Sequence, residues 1–159
     1  MIGCEPLADP LDFTEDDALL FKATSLDDSS DEWTNDPQDI RVMSWNVKYG
    51  ALRLPFWFDC WGDQVSMTHS QVNSNLKELT SLIREVNPDL LMVQEIEINS
   101  RRSAYVDMVN AILDQTDLNY AAYFSTWDSQ YIPSEGLGRM NLGNAIFSRY
   151  PIKAGKRIK

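Results

Sequence analysis

Apolar positions in the chain change from a strand-like to a helix-like period between residues 40 and 86. Residues 40–47 are dominated by apolar and β-branched side chains and are followed by Gly50, which predicts a strand. Thr68 and Gln71 match a capping box, which is typical of a helix start. Residues at spacings of three and four then share one helix face: Val72, Leu76, Leu79, Ile83 and Val86. We expect the helix to end at the Asn-Pro of residues 87–88.

A second apolar run predicts an inner strand. Residues 89–93 carry consecutive rather than alternating apolar side chains, as in a strand covered on both faces. Ser103 can cap a second helix. The shared face of that helix would hold Tyr105, Met108, Ile112 and Leu113.

Two further strands are predicted at residues 119–127 and 144–149. Between them, residues 128–143 contain Pro133 and three glycines, which predicts a loop of unusual length, and such loops are usually functional or mobile. The order strand, helix, strand, helix, strand, strand predicts an α/β architecture with helices packed on a sheet.

Charge divides the chain into two parts. The net charge is −10, and 43% of the residues are hydrophobic, enough for one domain with a core. Residues 1–39 carry twelve acidic residues against Lys22 alone, a charge of −11, whereas residues 40–159 carry +1. We therefore expect residues 1–39 to form an acidic, disordered tether and residues 40–159 to form the domain. The alternative for the tether is a short arm that docks through its apolar residues 19–21.

The N-terminus and the cysteines can show signs of export or membrane anchoring. No apolar run reaches the roughly 20 residues that a membrane helix needs, and no complete signal peptide is present. Residues 1–4, Met-Ile-Gly-Cys, resemble the cleavage end of a bacterial lipoprotein signal. Cys4 would then be lipidated and the protein exported and anchored, while a chance Gly-Cys is the alternative. We expect Cys60 to be a buried thiol.

Polar side chains end the first two predicted strands. Asn46 lies at the end of the first, and Glu95 follows the apolar run of the second. Neighbouring strands would bring this amide and carboxylate to one sheet edge, an oxygen-rich environment that suits Mg²⁺. Taken alone, a strand-end glutamate is commonly solvated and an asparagine commonly forms a turn. His69, the single histidine, is expected at the surface.

Three motifs together resemble the endonuclease/exonuclease/phosphatase superfamily. They are Ser-Trp-Asn-Val at residues 44–47, Asn-Pro-Asp at 87–89 leading to Gln-Glu at 94–95, and the run from Gly-Asn to Tyr-Pro at 143–151. The resemblance covers residues 40–153. It implies the first half, strand-helix-strand-helix-strand-strand, of a fold that in complete members is an α+β four-layer sandwich.

The resemblance also implies roles for individual residues. Glu95 would bind Mg²⁺ directly, with Mn²⁺ as a possible substitute, and Asn46 would lie beside it as a further ligand or as a group that orients the metal's waters or the scissile phosphate. Some members have an aspartate where this chain has Lys48, so that carboxylate is missing here. Arg139, in the expected long loop, is a candidate phosphate clamp.

The family pattern leaves two hypotheses open. The first is a Mg²⁺-dependent phosphoester hydrolase, similar to a phosphodiesterase or nuclease, acting on nucleic acid, phospholipid or sugar phosphate. The second is a truncated or degenerate member that binds without turnover. The family's later Asp-x-Asn and Asp-His motifs do not occur after Ser148. We therefore interpret the chain as an N-terminal fragment or truncated product and expect it to be inactive alone.

Overall fold

The fold is defined by a computed structural model that describes residues 15–26 and 39–158. Its strands are β1 (Glu15–Asp17), β2 (Leu19–Lys22), β3 (Val42–Asn46), β4 (Leu90–Glu97), β5 (Tyr120–Ile132), β6 (Gly138–Ser148) and β7 (Lys156–Ile158), and its helices are α1 (His69–Val86) and α2 (Met108–Gln115). The mixed content confirms the α/β class. Within these residues no helix is long and apolar enough to cross a membrane.

The central sheet has five strands in the order β2-β5-β6-β4-β3. Strands β3 and β4 are parallel, and the other pairings in this sheet are antiparallel. A parallel pair needs a long crossover, which α1 supplies. From β3 to β6 the order of elements is therefore the predicted one, and β4 is the predicted inner strand.

Local sequence signals fix the ends of α1. The capping box of Thr68 and Gln71 is formed, and the last turn ends at Asn87, whose N–H bonds to the carbonyl of Ile83 and whose left-handed conformation (φ 54°) turns the chain out of the helix. The predicted apolar face is buried through Val72, Leu76, Leu79 and Ile83. Burial of this amphipathic face, more than propensity, holds the helix on the sheet.

The two faces of the central sheet differ. In β4, Leu91 and Val93 are buried in the main core, but Met92 between them is 40% exposed. Met92 pairs with Ile146 of β6, which is 43% exposed on the same face. The prediction that this strand is covered on both faces is therefore wrong within the described residues, where one face is packed and the other is open.

The second helix begins later than predicted. It starts at Met108, and the carboxylate of Asp107, not the hydroxyl of Ser103, accepts the capping hydrogen bond from the N–H of Asn110 at 3.0 Å. Ser103 instead ends a buried 3₁₀ turn, and Tyr105 is exposed ahead of the helix. The reason lies in residues 104–105, whose positive φ angles of 55° and 60° interrupt any helix that started at Ser103.

The long loop predicted at residues 128–143 is a β-hairpin. Strands β5 and β6 pair from Tyr120 and Ser148 out to Ile132 and Gly138, so only a short turn connects them. Gly143, taken as a loop residue, lies inside β6, where a Cβ would sit 2.2 Å from the carbonyl oxygen of Phe124. The glycine marks a close backbone approach rather than a strand break.

Part of the acidic N-terminal segment belongs to the fold. Strand β1 pairs with β7, and β2 pairs with β5 and forms one edge of the central sheet. The tether expectation is therefore wrong for residues 15–26. The alternative of a docked arm holds only in part, because β2 pairs with β5 and Phe21 packs against the core, whereas Leu19 and Leu20 are 57% and 47% exposed. Residues 1–14, with the candidate lipidation site Cys4, and residues 27–38 lie outside the described residues.

Candidate functional site

Strands β3 and β4 bring the two predicted site residues together. Their parallel register aligns Asn46 with Gln94, and Glu95 is the next residue of β4. The Asn46 Nδ2 donates a hydrogen bond to Glu95 Oε1 at 2.8 Å. The predicted juxtaposition of this amide and this carboxylate at one sheet edge is therefore confirmed.

A β-bulge turns Glu95 towards Asn46. Between Val93 and Ile96 the register of β4 against β6 slips by one residue, and Glu95 there has a φ of 56°. A bulge re-aims the side chain of the strand that carries it. A positive φ is unfavourable for a residue with a Cβ, and such strain is concentrated at functional sites. No glycine in residues 93–96 signals the bulge in the sequence.

Asn46 uses both ends of its amide. Its Oδ1 accepts a hydrogen bond from the backbone N–H of Lys48 at 2.9 Å, while its Nδ2 donates to Glu95. The bond from Nδ2 holds the Glu95 carboxylate in one orientation, and Oδ1 keeps its second lone pair after accepting from Lys48. Glu95 Oε2 has no hydrogen-bond partner among the residues that the structure describes.

The turn after β3 is held in an unusual conformation. Lys48 and Tyr49 have φ angles of 48° and 47°, and Gly50 follows at 74°. From α1, Asn75 Nδ2 donates to the carbonyl of Gly50 at 2.8 Å and to that of Ala51 at 3.1 Å. These contacts attach the turn that follows Asn46 to α1.

Lys48, two residues after Asn46, forms an ion pair with a carboxylate. Its Nζ lies 2.6 Å from Asp59 Oδ2, which also accepts the N–H of Phe56 at 2.9 Å. The hydrogen bond from Lys48 is the main reason that the pKa of Asp59 is below its ordinary value. The loop around Asp59 exposes Trp61 almost fully and also exposes Cys60, so the expectation of a buried thiol is wrong.

A buried ion pair that the sequence did not reveal lies behind the site. Glu97, two residues after Glu95, is fully buried, and its Oε1 accepts from Arg102 Nη2 at 2.6 Å and Nε at 3.0 Å. Burial raises the pKa of Glu97, and the neighbouring Arg102 charge opposes that rise. The guanidinium carbon of Arg102 also lies 3.6 Å from the centroid of the Tyr49 ring.

Arg139 and His69 are separate from the pair. Arg139 lies on strand β6, not in a loop, and its guanidinium binds Asp128 at 2.6 Å. His69 is exposed at the first residue of α1. Within residues 15–26 and 39–158, neither side chain hydrogen-bonds to Asn46 or Glu95.

The available oxygen donors limit the kind of cation that fits. The described part of the chain contains no cluster of three or more His, Cys, Asp or Glu side chains arranged for a metal. A site built on Glu95 alone cannot enclose an ion, but Mg²⁺ typically keeps several waters and takes one or two carboxylates together with substrate phosphate. One carboxylate oxygen without a protein partner fits such a hydrated cation.

Comparison with known proteins agrees with this geometry at the level of the family. The model of the endonuclease/exonuclease/phosphatase family matches residues 43–158, which span β3 to β7 and well over half of the chain. No curated protein and no solved structure gives a significant match. Members of this family are in general metal-dependent hydrolases of phosphoesters. The chain belongs to the endonuclease/exonuclease/phosphatase family.

Proposed function

We propose that Glu95 is the carboxylate ligand of a divalent cation, Mg²⁺ or in its place Mn²⁺, in a phosphoester-hydrolysing site of the phosphodiesterase or nuclease type. The observation that carries the proposal is the 2.8 Å hydrogen bond between Asn46 and Glu95 Oε1. That bond orients the carboxylate and leaves Oε2 open to a cation. Family membership supports the reaction class, and nucleic acid, phospholipid and sugar phosphate all remain candidate substrates.

The roles of the chain's own residues follow from their contacts. A bound divalent cation would neutralise charge that develops on the phosphoryl and leaving oxygens. Glu95 holds the cation, and Asn46 keeps the carboxylate in one orientation. Arg139 remains a candidate for binding phosphate, but its guanidinium would first have to leave Asp128.

Among residues 15–26 and 39–158, no other side chain that could act as a general base hydrogen-bonds to Asn46 or Glu95. His69 is exposed at the start of α1 and makes no hydrogen bond to the pair in the described residues. General-base assistance typically contributes about 10²–10⁴-fold in rate. We therefore expect the 159-residue chain to hydrolyse a generic phosphodiester poorly or not at all, and any longer product of the same gene that adds Asp-x-Asn and Asp-His motifs to be active.

Hydrolysis of bis(4-nitrophenyl) phosphate with Mg²⁺, with Mn²⁺ and with a chelator tests this function. The comparison uses the 159-residue chain, any longer product of the gene, and a Glu95→Gln variant of each. Glu85→Gln is the matched control, because Glu85 is an exposed carboxylate on α1. Turnover that needs a metal and Glu95 but not Glu85 supports the proposal. Turnover that survives Glu95→Gln contradicts it.

A non-catalytic binding module is the second candidate. The lack of a general base in hydrogen-bond contact with Asn46 or Glu95 among the described residues favours it, because cation binding needs no such base. It predicts Glu95-dependent cation binding without turnover in every version of the protein.

A further inference from the structure

The Glu97–Arg102 ion pair is unusual because almost none of it reaches solvent. Glu97 is 0% exposed and Arg102 is 8% exposed. Two charges removed from water lose hydration that their mutual attraction does not reliably restore, so a buried pair is weak evidence for stability. Its presence beside the site therefore calls for another explanation.

Arg102 contacts both chain segments that leave the site. Its Nη2 and Nε bind Glu97, which lies two residues beyond Glu95 on β4. The face of its guanidinium lies 3.6 Å from the ring centroid of Tyr49, which lies three residues beyond Asn46. A planar guanidinium can donate two hydrogen bonds to Glu97 and stack on the Tyr49 ring at the same time, whereas a lysine ammonium cannot do both.

Both segments hold backbone conformations that require support. Glu95 has a φ of 56° and Tyr49 a φ of 47°, values that are unfavourable for side chains with a Cβ. Such conformations persist only where the surrounding structure over-determines them. The backbone carbonyl of Arg102 also accepts a hydrogen bond from the N–H of Met67 at 2.8 Å. This bond attaches Arg102 to the residue that precedes the N-cap of α1.

We propose that Arg102 is a positioning residue that fixes the geometry of the Asn46–Glu95 pair by holding Glu97 on strand β4 and Tyr49 in the turn that follows strand β3. The expected effect of Arg102 on binding of the cation rests on the proposed function. The structural part of the proposal does not depend on the metal.

The test follows the side-chain amide signals of Asn46 by NMR, since these report the hydrogen bond to Glu95 directly. Glu95→Ala supplies the reference for a broken bond. Arg102→Lys keeps the charge but removes the fork and the stacking. The double variant Glu97→Gln/Arg102→Met removes both charges, and it keeps the test decisive if Arg102→Lys does not fold. Arg101→Lys is the control, because Arg101 is an exposed neighbour that bonds to the carbonyl of Gly136.

The expected result is that the Asn46 signals of both Arg102 variants move to the Glu95→Ala positions while those of Arg101→Lys stay at the wild-type positions. Affinity for Mn²⁺ should fall about 10–100-fold in the same variants, as for other residues that orient a metal ligand. Asn46 signals that remain at the wild-type positions in folded Arg102 variants would overturn the proposal. If wild type itself binds no Mn²⁺, the proposed function fails, and the Asn46 signals still decide the role of Arg102.

Discussion

Replacing Glu95 with glycine should give a more stable protein than replacing it with alanine. Both variants lose the carboxylate and the hydrogen bond from Asn46, so the difference between them reports the backbone alone. The φ of 56° at this position is unfavourable for alanine and acceptable for glycine. This comparison therefore measures the strain stored at the bulge.

The size of the effect follows from two opposing terms. A left-handed conformation costs an L-residue about 1–2 kcal/mol. Glycine in turn loses about 0.5–1 kcal/mol relative to alanine through its greater freedom in the unfolded chain. The net difference should lie between about 0 and 1.5 kcal/mol in favour of glycine, with a middle value of about 0.8 kcal/mol, or roughly 1.5–3 °C in Tm for a chain of this length.

Urea unfolding followed by the fluorescence of the five tryptophans measures this difference. Gln94 is the control position, because it precedes Glu95 in β4 and has no positive φ. There the preference should reverse, with alanine more stable than glycine by about 0.5–1 kcal/mol. If Glu95→Ala instead proves more stable than Glu95→Gly by about 0.5–1 kcal/mol, as expected at Gln94, the bulge stores no strain and the explanation of how Glu95 reaches Asn46 is wrong.

Two further predictions concern the segments around the site. Asn75→Ala removes two hydrogen bonds to the turn at Gly50 and should cost about 1–3 kcal/mol in unfolding free energy, whereas Asn73→Ala, on the exposed side of α1, should cost less than about 0.5 kcal/mol. Because the pKa of Asp59 is lowered by Lys48, the stability from this pair should be complete above the ordinary value of 3.8 and be lost as the pH falls through the lowered pKa. Asp59→Asn should therefore reduce the acid dependence of unfolding between pH 2 and 5, and an unchanged pH profile would exclude this ion pair as its cause.

Sequence signals that act locally were sufficient for part of the fold. The capping box at Thr68 and the spacing of apolar residues predicted α1, because neighbouring residues satisfy the first turn and one face is buried. Asn46 and Glu95 could be paired in advance because each follows an apolar strand and parallel neighbours end at the same edge. Both predictions could be made because the residues that determine each feature lie within short stretches of the sequence.

Features set by tertiary contacts were missed. Gly143 looked like a strand breaker, but the approach of Phe124 makes it a strand residue. Ser103 and Asp107 are both acceptable caps by composition, and only the positive φ angles at residues 104–105 decide between them.

The buried pair shows the same limit. Arginine and glutamate are usually surface residues, so nothing in the sequence places Arg102 and Glu97 in the interior. Only their burial beside Tyr49 shows that they form an ion pair inside the fold. Since burial of this kind depends on elements from three parts of the chain, a single sequence carries no local signal for it.

Binding of Mn²⁺, followed by the loss of its free electron paramagnetic resonance signal and by competition with Mg²⁺, tests the central claim most directly. We predict saturable binding to wild type, no measurable binding to Glu95→Gln, and an affinity reduced about 10–100-fold in Asn46→Ala, since the hydrogen bond from Asn46 holds the Glu95 carboxylate in one orientation. Glu85→Gln should bind as wild type does. Equal binding by wild type and Glu95→Gln would contradict the assignment of this strand end as the metal site.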